Sequence, residues 1–419
     1  MQKEQKNSVP PLLVWSIMVA FYMYQFVSRS AFPTVLTNEY MEYFSLDAKG
    51  VGALISCYYF LYTFAQIPSG IVADKFSIRL VATATIAICA TGTLLFVSTN
   101  CHYVAGFGQM LSGLGSAAAL LLIFKVVVDR FPPERRPLMI SLGISAGCMA
   151  PVIFGPSVAL IVRTFHWKSV MFTHAIIGYV LAFIAWKIVA DNKNPSTSET
   201  TNKGIPLAEA LKMIVVSPQA WVLTLFAMMQ YAPLSALADL WGTSYIRKMY
   251  NAGPAISSLA NNMIYFGLAF GGPFFSYIVK VLDSYKKTML ISTFCAATSF
   301  ALILFVEDIS LHQMFALFFS MGFFTGALLM YALGTFLFPK SMSATVSAFI
   351  NTGSMMSGII LMPLIGYLID LSWDGTIENG TKIYCLTDYR FAFVSVLCAL
   401  IMAFVFAFFI KDRSPKDAQ

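Results

Sequence analysis

Twelve long apolar stretches constrain the fold of this chain more than any other feature of its sequence. Each has about 20 residues or more, the length that an α-helix needs to cross a bilayer. Since 58% of the 419 residues are hydrophobic and only 11% are charged, an ordinary soluble protein is excluded. No stretch alternates as the strands of a membrane barrel do, so the sequence predicts an all-α polytopic membrane protein with twelve transmembrane helices. The approximate bounds are 11–36, 49–73, 79–99, 103–129, 138–163, 167–190, 217–246, 255–281, 287–306, 310–338, 343–370 and 389–411.

The basic residues of the connecting segments predict the orientation. Eighteen Lys and Arg residues fall on the side of the termini and seven on the opposite side. Because Lys and Arg are enriched in cytoplasmic loops, we expect both termini in the cytoplasm and the protein in the inner membrane. The net charge of +7 then reflects topology, and no nucleic-acid partner is expected. Helix 1 is expected to remain as an uncleaved anchor, since no small-residue cleavage site follows it.

A polar stretch between helices 6 and 7, rich in Asn, Ser, Thr and Lys, divides the chain six plus six. At an offset of about 206 residues, Trp15 matches Trp221 and Gly147 matches Gly353. Such matches predict two pseudo-symmetric six-helix bundles with a solute site between them near the midplane of the membrane. The predicted N-terminal bundle, cytoplasmic linker and C-terminal bundle are 1–190, 191–216 and 217–419.

The turn between helices 2 and 3 carries the most specific motif. It reads Gly70-Ile-Val-Ala-Asp74-Lys75-Phe-Ser-Ile-Arg79, and its carboxylate and two cations can bridge helix ends. This segment resembles the G-x-x-x-D-[RK]-x-G-x-[RK] signature of the major facilitator superfamily, with a serine in place of the second glycine. The resemblance implies a transporter with that superfamily's fold. It also implies a conformational latch made of Gly70, Asp74, Lys75 and Arg79. At an offset of 209 residues, Asp283 stands at the matching turn of the second half and is added to the predicted latch.

Helix 2 narrows the resemblance to one branch of that superfamily. The Tyr-x-x-x-Gln-x-Pro-x-Gly segment that starts at Tyr62 looks like that of the anion:cation symporters and their nitrate and organic-acid relatives. Arg29 in helix 1 and Lys125 in helix 4 stand where that branch has basic residues. The two acids that the branch uses for proton coupling are replaced here by Ser28 and Ser116. The resemblance therefore implies a symporter but leaves the coupling ion open.

Charged side chains within predicted helices mark the candidate solute site. A charge at the bilayer centre costs at least about 2.5–3.5 kcal/mol on insertion scales, so it needs a cavity or a partner unless it snorkels to the membrane surface. Arg29 and Lys125, without a deep acid in the same half, favour an anion or the carboxylate of a zwitterion. Tyr22 and Gln25 share a helix face with Arg29 by their spacing. The predicted solute-binding set is Arg29, Tyr22, Gln25, Tyr58, Tyr62, Gln66, Lys125, Tyr231 and Asn351.

Two other residues are candidates for proton coupling. Asp239, near the outer end of helix 7, is the clear acid within a predicted helix. Capping of a helix, or a pair with Arg247, is the alternative role for it. His174 in helix 6 carries a side chain that can titrate near physiological pH, and hydrogen-bonded packing is its alternative role.

These features favour a secondary transporter that moves a small anionic or zwitterionic solute, such as an organic acid or an amino acid, by alternating access with protons. A proton-driven exporter of drugs or siderophores and a membrane sensor without transport are the alternatives. The seven cysteines lack metal-ligand spacing and no nucleotide-binding motif occurs, so neither enzymatic activity nor a cofactor is expected. The expected partners are the solute, protons and the lipid bilayer, and the protein is expected to be a monomer.

Overall fold

Twelve long apolar helices dominate the computed structural model, which describes residues 9–189, 207–325, 329–339, 342–378 and 381–412. In the first half they are α1 Pro11–Val35, α2 Ala48–Ala73, α3 Ile78–Ser98, α4 His102–Arg130, α5 Pro133–Ile161 and α6 Trp167–Ile188. In the second half they are α7 Pro218–Tyr250, α8 Pro254–Leu282, α9 Tyr285–Phe305, α10 Leu311–Thr325 and Leu329–Leu337, α11 Thr345–Ser372 and α12 Leu386–Phe409. The predicted fold class is confirmed.

Short elements lie between the long helices. A helix over Thr37–Phe44 connects α1 to α2, and another over Leu207–Val216 precedes α7. Strands β1 Ile377–Glu378 and β2 Thr381–Lys382 pair antiparallel between α11 and α12. Most of the predicted linker, 191–206, lies outside the described residues, and the boundaries of the two domains stay a prediction.

Side chains that precede the helices explain where several of them begin. Asp47 accepts a hydrogen bond from the backbone of Gly50 at 2.8 Å and caps α2. Ser77 accepts one from the backbone of Leu80 at 3.2 Å and caps α3. Such caps satisfy donors that the first turn of a helix leaves unpaired. The serine that departs from the latch signature therefore has a structural role at the start of α3.

The packing of the first six helices recurs in the second six. α1 packs against α5 and α2 against α4, and the equivalent pairs α7 with α11 and α8 with α10 also pack. Gly147 of α5 packs against Tyr22 of α1, as Gly353 of α11 packs against Thr224 of α7. Between the halves, α2 packs against α11 and α5 against α8. In the duplicated arrangement α8 corresponds to α2 and α5 to α11, so these two contacts are equivalent. This agrees with an internal duplication.

The two halves approach each other on one side of the bundle. We call the side where α1 begins and α12 ends the terminus side, and the other the opposite side. On the opposite side Gly52 of α2 lies against the backbone of Met362 in α11, where a Cβ atom would collide. Asn262 of α8 donates to the carbonyl oxygen of Pro151 in α5 at 2.8 Å. The halves are therefore joined on the opposite side.

Candidate functional site

The first helix of each half widens over a few residues. Val27–Ala31 of α1 and Leu234–Trp241 of α7 are π-helical. Pro33 follows the first segment and Pro233 precedes the second, and a proline lacks the N–H that an α-helical bond requires. π-Helical turns inside α-helices are rare and are frequent at functional sites. Because they occur at equivalent places in the two halves, we take these segments as candidates for the functional site.

Each π-helical segment carries one buried charge, and the two charges pair. Arg29 in α1 is 4% exposed and Asp239 in α7 is 0% exposed, and Nε of Arg29 lies 3.8 Å from Oδ1 of Asp239. A buried ion pays a large desolvation cost, which an opposite charge nearby offsets in part. Asp239 therefore pairs with Arg29 of the other half, a partner that the sequence did not suggest. The pair with Arg247 was the sequence-based alternative.

Three tyrosines surround the ion pair. Tyr59 of α2 and Tyr265 of α8 both donate hydrogen bonds to the carboxylate of Asp239. Nη2 of Arg29 donates to the hydroxyl oxygen of Tyr231 at 3.3 Å and to that of Tyr265 at 3.2 Å. We call these five residues the charge cluster. It joins α1 and α2 of the first half to α7 and α8 of the second.

The guanidinium of Arg29 retains donors that the cluster does not use. Arginine has five N–H donors, and Nε of Arg29 has no hydrogen-bond partner among the described residues. Asp239 at 3.8 Å is too distant for a hydrogen bond. The ring of Phe26, 4.3 Å from Cζ of Arg29, contributes a cation–π contact. Among the described residues, Nε of Arg29 is therefore a buried donor that the charge cluster leaves without a hydrogen bond.

Most of the solute-binding residues predicted in the first half extend from the charge cluster toward the terminus side. Tyr58 donates to Oε1 of Gln25 at 2.8 Å and stacks on Tyr62 with ring centroids 5.8 Å apart. Tyr62 lies one helical turn from Gln66 and is an electrostatic neighbour of Tyr22. The structure therefore brings these five residues of α1 and α2 together.

Asn351 belongs to a polar group on the other half. The hydroxyl of Tyr331 in α10 donates to Oδ1 of Asn351 at 3.0 Å and lies 3.1 Å from Oγ of Ser354. Tyr331 is in turn an electrostatic neighbour of Tyr62 and Tyr231. Tyrosines of both halves thus meet beside the charge cluster.

Three tyrosines of this site, Tyr59, Tyr265 and Tyr331, lie outside the predicted solute-binding set. Tyr59 lies next to the predicted Tyr58, and Tyr331 stands in α10, where no residue was singled out. The chain has 19 tyrosines, and helical spacing alone does not separate those that face a polar partner from those that pack. Contact with Arg29 or Asp239 distinguishes Tyr59, Tyr231 and Tyr265, and the sequence does not show which tyrosines make that contact.

Lys125 and His174 make other contacts. Nζ of Lys125 donates to the carbonyl oxygen of Ala73 at the terminus-side end of α2. Nε2 of His174 lies 2.9 Å from Oγ of Ser28, and its ring stacks on Tyr24 with centroids 4.0 Å apart. Lys125 therefore contacts the latch segment, whereas His174 connects α6 to α1 beside a lateral apolar cleft of about 570 Å³.

The central part of the predicted latch is described incompletely. The side chain of Asp74 lies outside the described residues, and that of Lys75 is exposed. Within the described part of the chain, no neighbouring atom lies within 4 Å of the position that a Cβ on Gly70 would occupy. The role of these three residues therefore stays a prediction.

The flanking latch residues have clear positions. Nε of Arg79 donates to the carbonyl oxygen of Trp186 at 2.7 Å, and Cζ of Arg79 lies 4.8 Å from that ring. These contacts hold the start of α3 to the end of α6. Asp283 ends α8 in the left-handed conformation, with φ 51°. Its place after α8 matches that of Asp74 near the end of α2.

A group of hydrogen bonds, which we call the opposite-side gate, joins the start of α2 to the second half. The backbone N–H of Ala48 donates to the hydroxyl of Tyr384 at 3.1 Å, and that of Lys49 donates to Oδ2 of Asp370 at 2.8 Å. Nζ of Lys382 in β2 lies 3.0 Å from Oδ1 of Asp370. Burial raises the pKa of the Tyr384 phenol, which therefore stays protonated and donates to Asp370 at 2.5 Å. The backbone N–H groups in the first turn of α2 have no acceptor within that helix. Two of them, those of Ala48 and Lys49, therefore donate to side chains of the second half.

Removal of the Asp370 carboxylate is expected to open this gate. Asp370→Ala leaves Lys49 N–H, Tyr384 and Lys382 without their shared acceptor, which we expect to shift the equilibrium between closed and open gate by about tenfold. The measurement is the rate at which a membrane-impermeant thiol reagent labels a cysteine at the buried position Val51. Cys101 and Cys385, which are accessible on the same side, are replaced by serine.

Asp374→Ala is the matched control for that substitution. Asp374 lies in the same loop, but its carboxylate accepts from the backbone of Thr376 at 3.0 Å within the loop. The control is expected to leave the labelling rate unchanged. Equal labelling rates at position 51 with and without the Asp370→Ala substitution would show that these bonds do not hold the halves together.

Comparisons with known proteins agree with this architecture. The sequence profile described as Major Facilitator Superfamily matches residues 15–259 and 236–419. The chain is 24% identical over 360 residues to an uncharacterized transporter, YybO, of Bacillus subtilis, which covers 80% of this chain and 82% of that protein. It is 27% identical over 209 residues to the probable galactarate/D-glucarate transporter GudP of Escherichia coli (47% and 46% covered), and 26% identical over 278 residues to the hexuronate transporter of B. subtilis (60% and 63% covered).

Solved structures show the same fold. A crystal structure of a bacterial homologue of the human lysosomal transporter Spinster, described as inward-facing and unoccupied, superposes with a TM-score of 0.78. The alignment covers 96% of this chain and 98% of the other at 17% sequence identity. A point mutant of the nucleoside transporter NupG gives a TM-score of 0.74 at 14% identity, with 95% and 100% covered.

Proposed function

Because the chain belongs to the major facilitator superfamily and is a membrane transporter of that type, we propose that it moves a small organic anion by alternating access. The observation that carries the proposal is the buried guanidinium of Arg29 at the boundary between the halves, whose Nε has no hydrogen-bond partner among the described residues. A guanidinium binds carboxylates with more than one hydrogen bond. The anion:cation symporter branch is the assignment within the superfamily that this site supports.

The names of two relatives suggest which anions to test first. Hexuronates, galactarate and D-glucarate are all carboxylates that also bear several hydroxyl groups. We therefore take uronates and aldarates as the first solutes, ahead of simple organic acids and amino acids. An exporter of hydrophobic drugs is less well supported, because a buried ion pair with tyrosine donors is a costly environment for an apolar solute.

The charge balance of the cluster suggests how a proton takes part. Arg29 and Asp239 together are neutral, so a bound monoanion would leave one uncompensated negative charge in a buried site. Protonation of Asp239 restores neutrality while Arg29 holds the solute. The proposed stoichiometry is therefore one proton for each monoanion, and the transported complex carries no net charge.

The side of solute access follows from the gate. The bonds at Asp370 and Tyr384 hold the opposite side closed, so we propose that the solute reaches the charge cluster from the terminus side in this conformation. We propose that the terminus side faces the cytoplasm, in accord with the excess of basic residues there. The structure then corresponds to the state that exchanges solute with the cytoplasm. Opening of the opposite-side gate gives the state that binds solute from the other side of the membrane.

Uptake of labelled galacturonate into proteoliposomes tests this proposal. An inward proton gradient is expected to drive accumulation, and a potassium diffusion potential set with valinomycin is expected to leave the uptake of this monoanion unchanged. Protein-free liposomes are the control. The proposal is wrong if labelled galacturonate, galactarate, succinate and glutamate all fail to enter or exchange, while the protein is shown to be folded by size-exclusion chromatography.

A further inference from the structure

Two buried glutamines occupy equivalent positions in the two halves, and neither belongs to the charge cluster. Gln25 of α1 and Gln230 of α7 are separated by 205 positions, close to the 206 that separate Trp15 from Trp221. Each is 1% exposed. The duplicated helices therefore place one buried carboxamide each at the same level of the bundle.

Both carboxamides retain hydrogen-bonding capacity. Oε1 of Gln25 accepts from Tyr58, but its Nε2 has no partner among the described residues. For Gln230 neither Oε1 nor Nε2 has a partner in the described part of the chain. A buried amide without a hydrogen bond is costly, so an unpaired amide at this depth needs a partner from a water molecule or from a ligand.

The two glutamines lie close to the atoms that would hold the solute. Gln25 precedes Arg29 by four residues, which puts both side chains on one helix face. Gln230 adjoins Tyr231, whose hydroxyl accepts from Arg29. Gln230 and Tyr231 also line, with Thr325, a cavity of about 10 Å³, which is room for one water-sized group such as a hydroxyl.

We propose that Gln25 and Gln230 bind hydroxyl groups of the solute whose carboxylate Arg29 holds, so that the transporter selects polyhydroxylated acids over unsubstituted ones. This inference rests on the proposed function. A carboxamide offers both a donor and an acceptor, and so does a hydroxyl group. A solute without hydroxyls leaves the amides unpaired, and sites built to bind a hydroxyl reject such analogues strongly.

Binding to the purified full-length protein in detergent tests the inference by calorimetry. The probes are galacturonate and tetrahydropyran-2-carboxylate, a ring of the same size that keeps the carboxylate and lacks the hydroxyls. Gln25→Leu and Gln230→Leu are each expected to reduce the preference for galacturonate by about tenfold, with the affinity for the unsubstituted acid retained. Gln25→Met and Gln230→Met replace the leucine variants if those fail to fold.

Thr224→Val is the matched control. Thr224 lies on the same helix as Gln230 and has a buried hydroxyl without a partner among the described residues, but it packs against Gly353 within its own half. Its substitution is expected to leave the preference unchanged. If both glutamine variants keep the wild-type preference while Arg29→Gln loses both acids, the inference is wrong and the proposed function stands. If the wild-type protein binds neither acid, the proposed function of uronate transport fails and the inference with it.

Discussion

Arg29→Gln is expected to lower kcat/KM for galacturonate uptake by about 100-fold or more. The substitution removes the charge that binds the carboxylate and leaves Asp239 buried without its ionic partner. Loss of one member of a buried, hydrogen-bonded charge pair costs about 2–5 kcal/mol, and about 2.8 kcal/mol corresponds to 100-fold. Initial rates of labelled uptake, measured at several solute concentrations, give the value.

Two further variants separate recognition from folding. Lys125→Gln removes the other cation that the sequence offered as a ligand. Because Lys125 contacts Ala73 in the latch segment, this variant is expected to lower the maximal rate of uptake and to leave the KM for galacturonate close to wild type. Arg29→Gln combined with Asp239→Asn removes both charges and is expected to raise the melting temperature above that of Arg29→Gln alone. Wild-type kcat/KM in Arg29→Gln would contradict a solute site at the charge cluster.

Asp239→Asn is expected to uncouple uptake from the proton gradient. The asparagine keeps the size of the side chain but cannot take up the proton that neutralises the buried site when a monoanion is bound. Accumulation driven by a proton gradient is therefore expected to disappear, while exchange of labelled for unlabelled galacturonate continues. Net uptake by the variant carries a negative charge, so an inside-positive potential is expected to stimulate it, unlike that of the wild type.

His174→Gln provides the comparison for that result. His174 is the other proton-coupling candidate, but its ring contacts Ser28 and Tyr24 and not the charge cluster. Uptake by this variant is expected to keep its dependence on the proton gradient and its insensitivity to the potential. The assignment of the proton to Asp239 would be contradicted if His174→Gln lost coupling and Asp239→Asn retained it.

The periodicity of the α-helix explains why part of the site was predictable. Helical spacing placed Tyr22, Gln25 and Arg29 on one face of α1, because residues three and four apart are neighbours within a helix. The structure also brings the predicted Tyr62 and Gln66 together on α2. Such relations are local, so they can be read along a single helix.

The contacts of Asp239 show where the sequence was not sufficient. Its partners Arg29, Tyr59 and Tyr265 stand on three other helices, two of them in the first half. Lys125 likewise has the positive charge expected of a residue that binds an anionic solute, but its side chain contacts the backbone at the end of α2. No local pattern encodes which helix faces which across the boundary between the halves.

The sequence by itself determined the class of this protein, the number of its membrane-spanning helices and their internal duplication. It could do so because a bilayer sets the length and the apolarity of each helix, residue by residue. Only the tertiary structure decided that Arg29 pairs with Asp239, that the opposite side is closed through Asp370, and that two equivalent glutamines keep amide atoms without a hydrogen-bond partner among the described residues. Those facts depend on how close-packed helices from two separate halves meet, which the spacing along one chain does not specify.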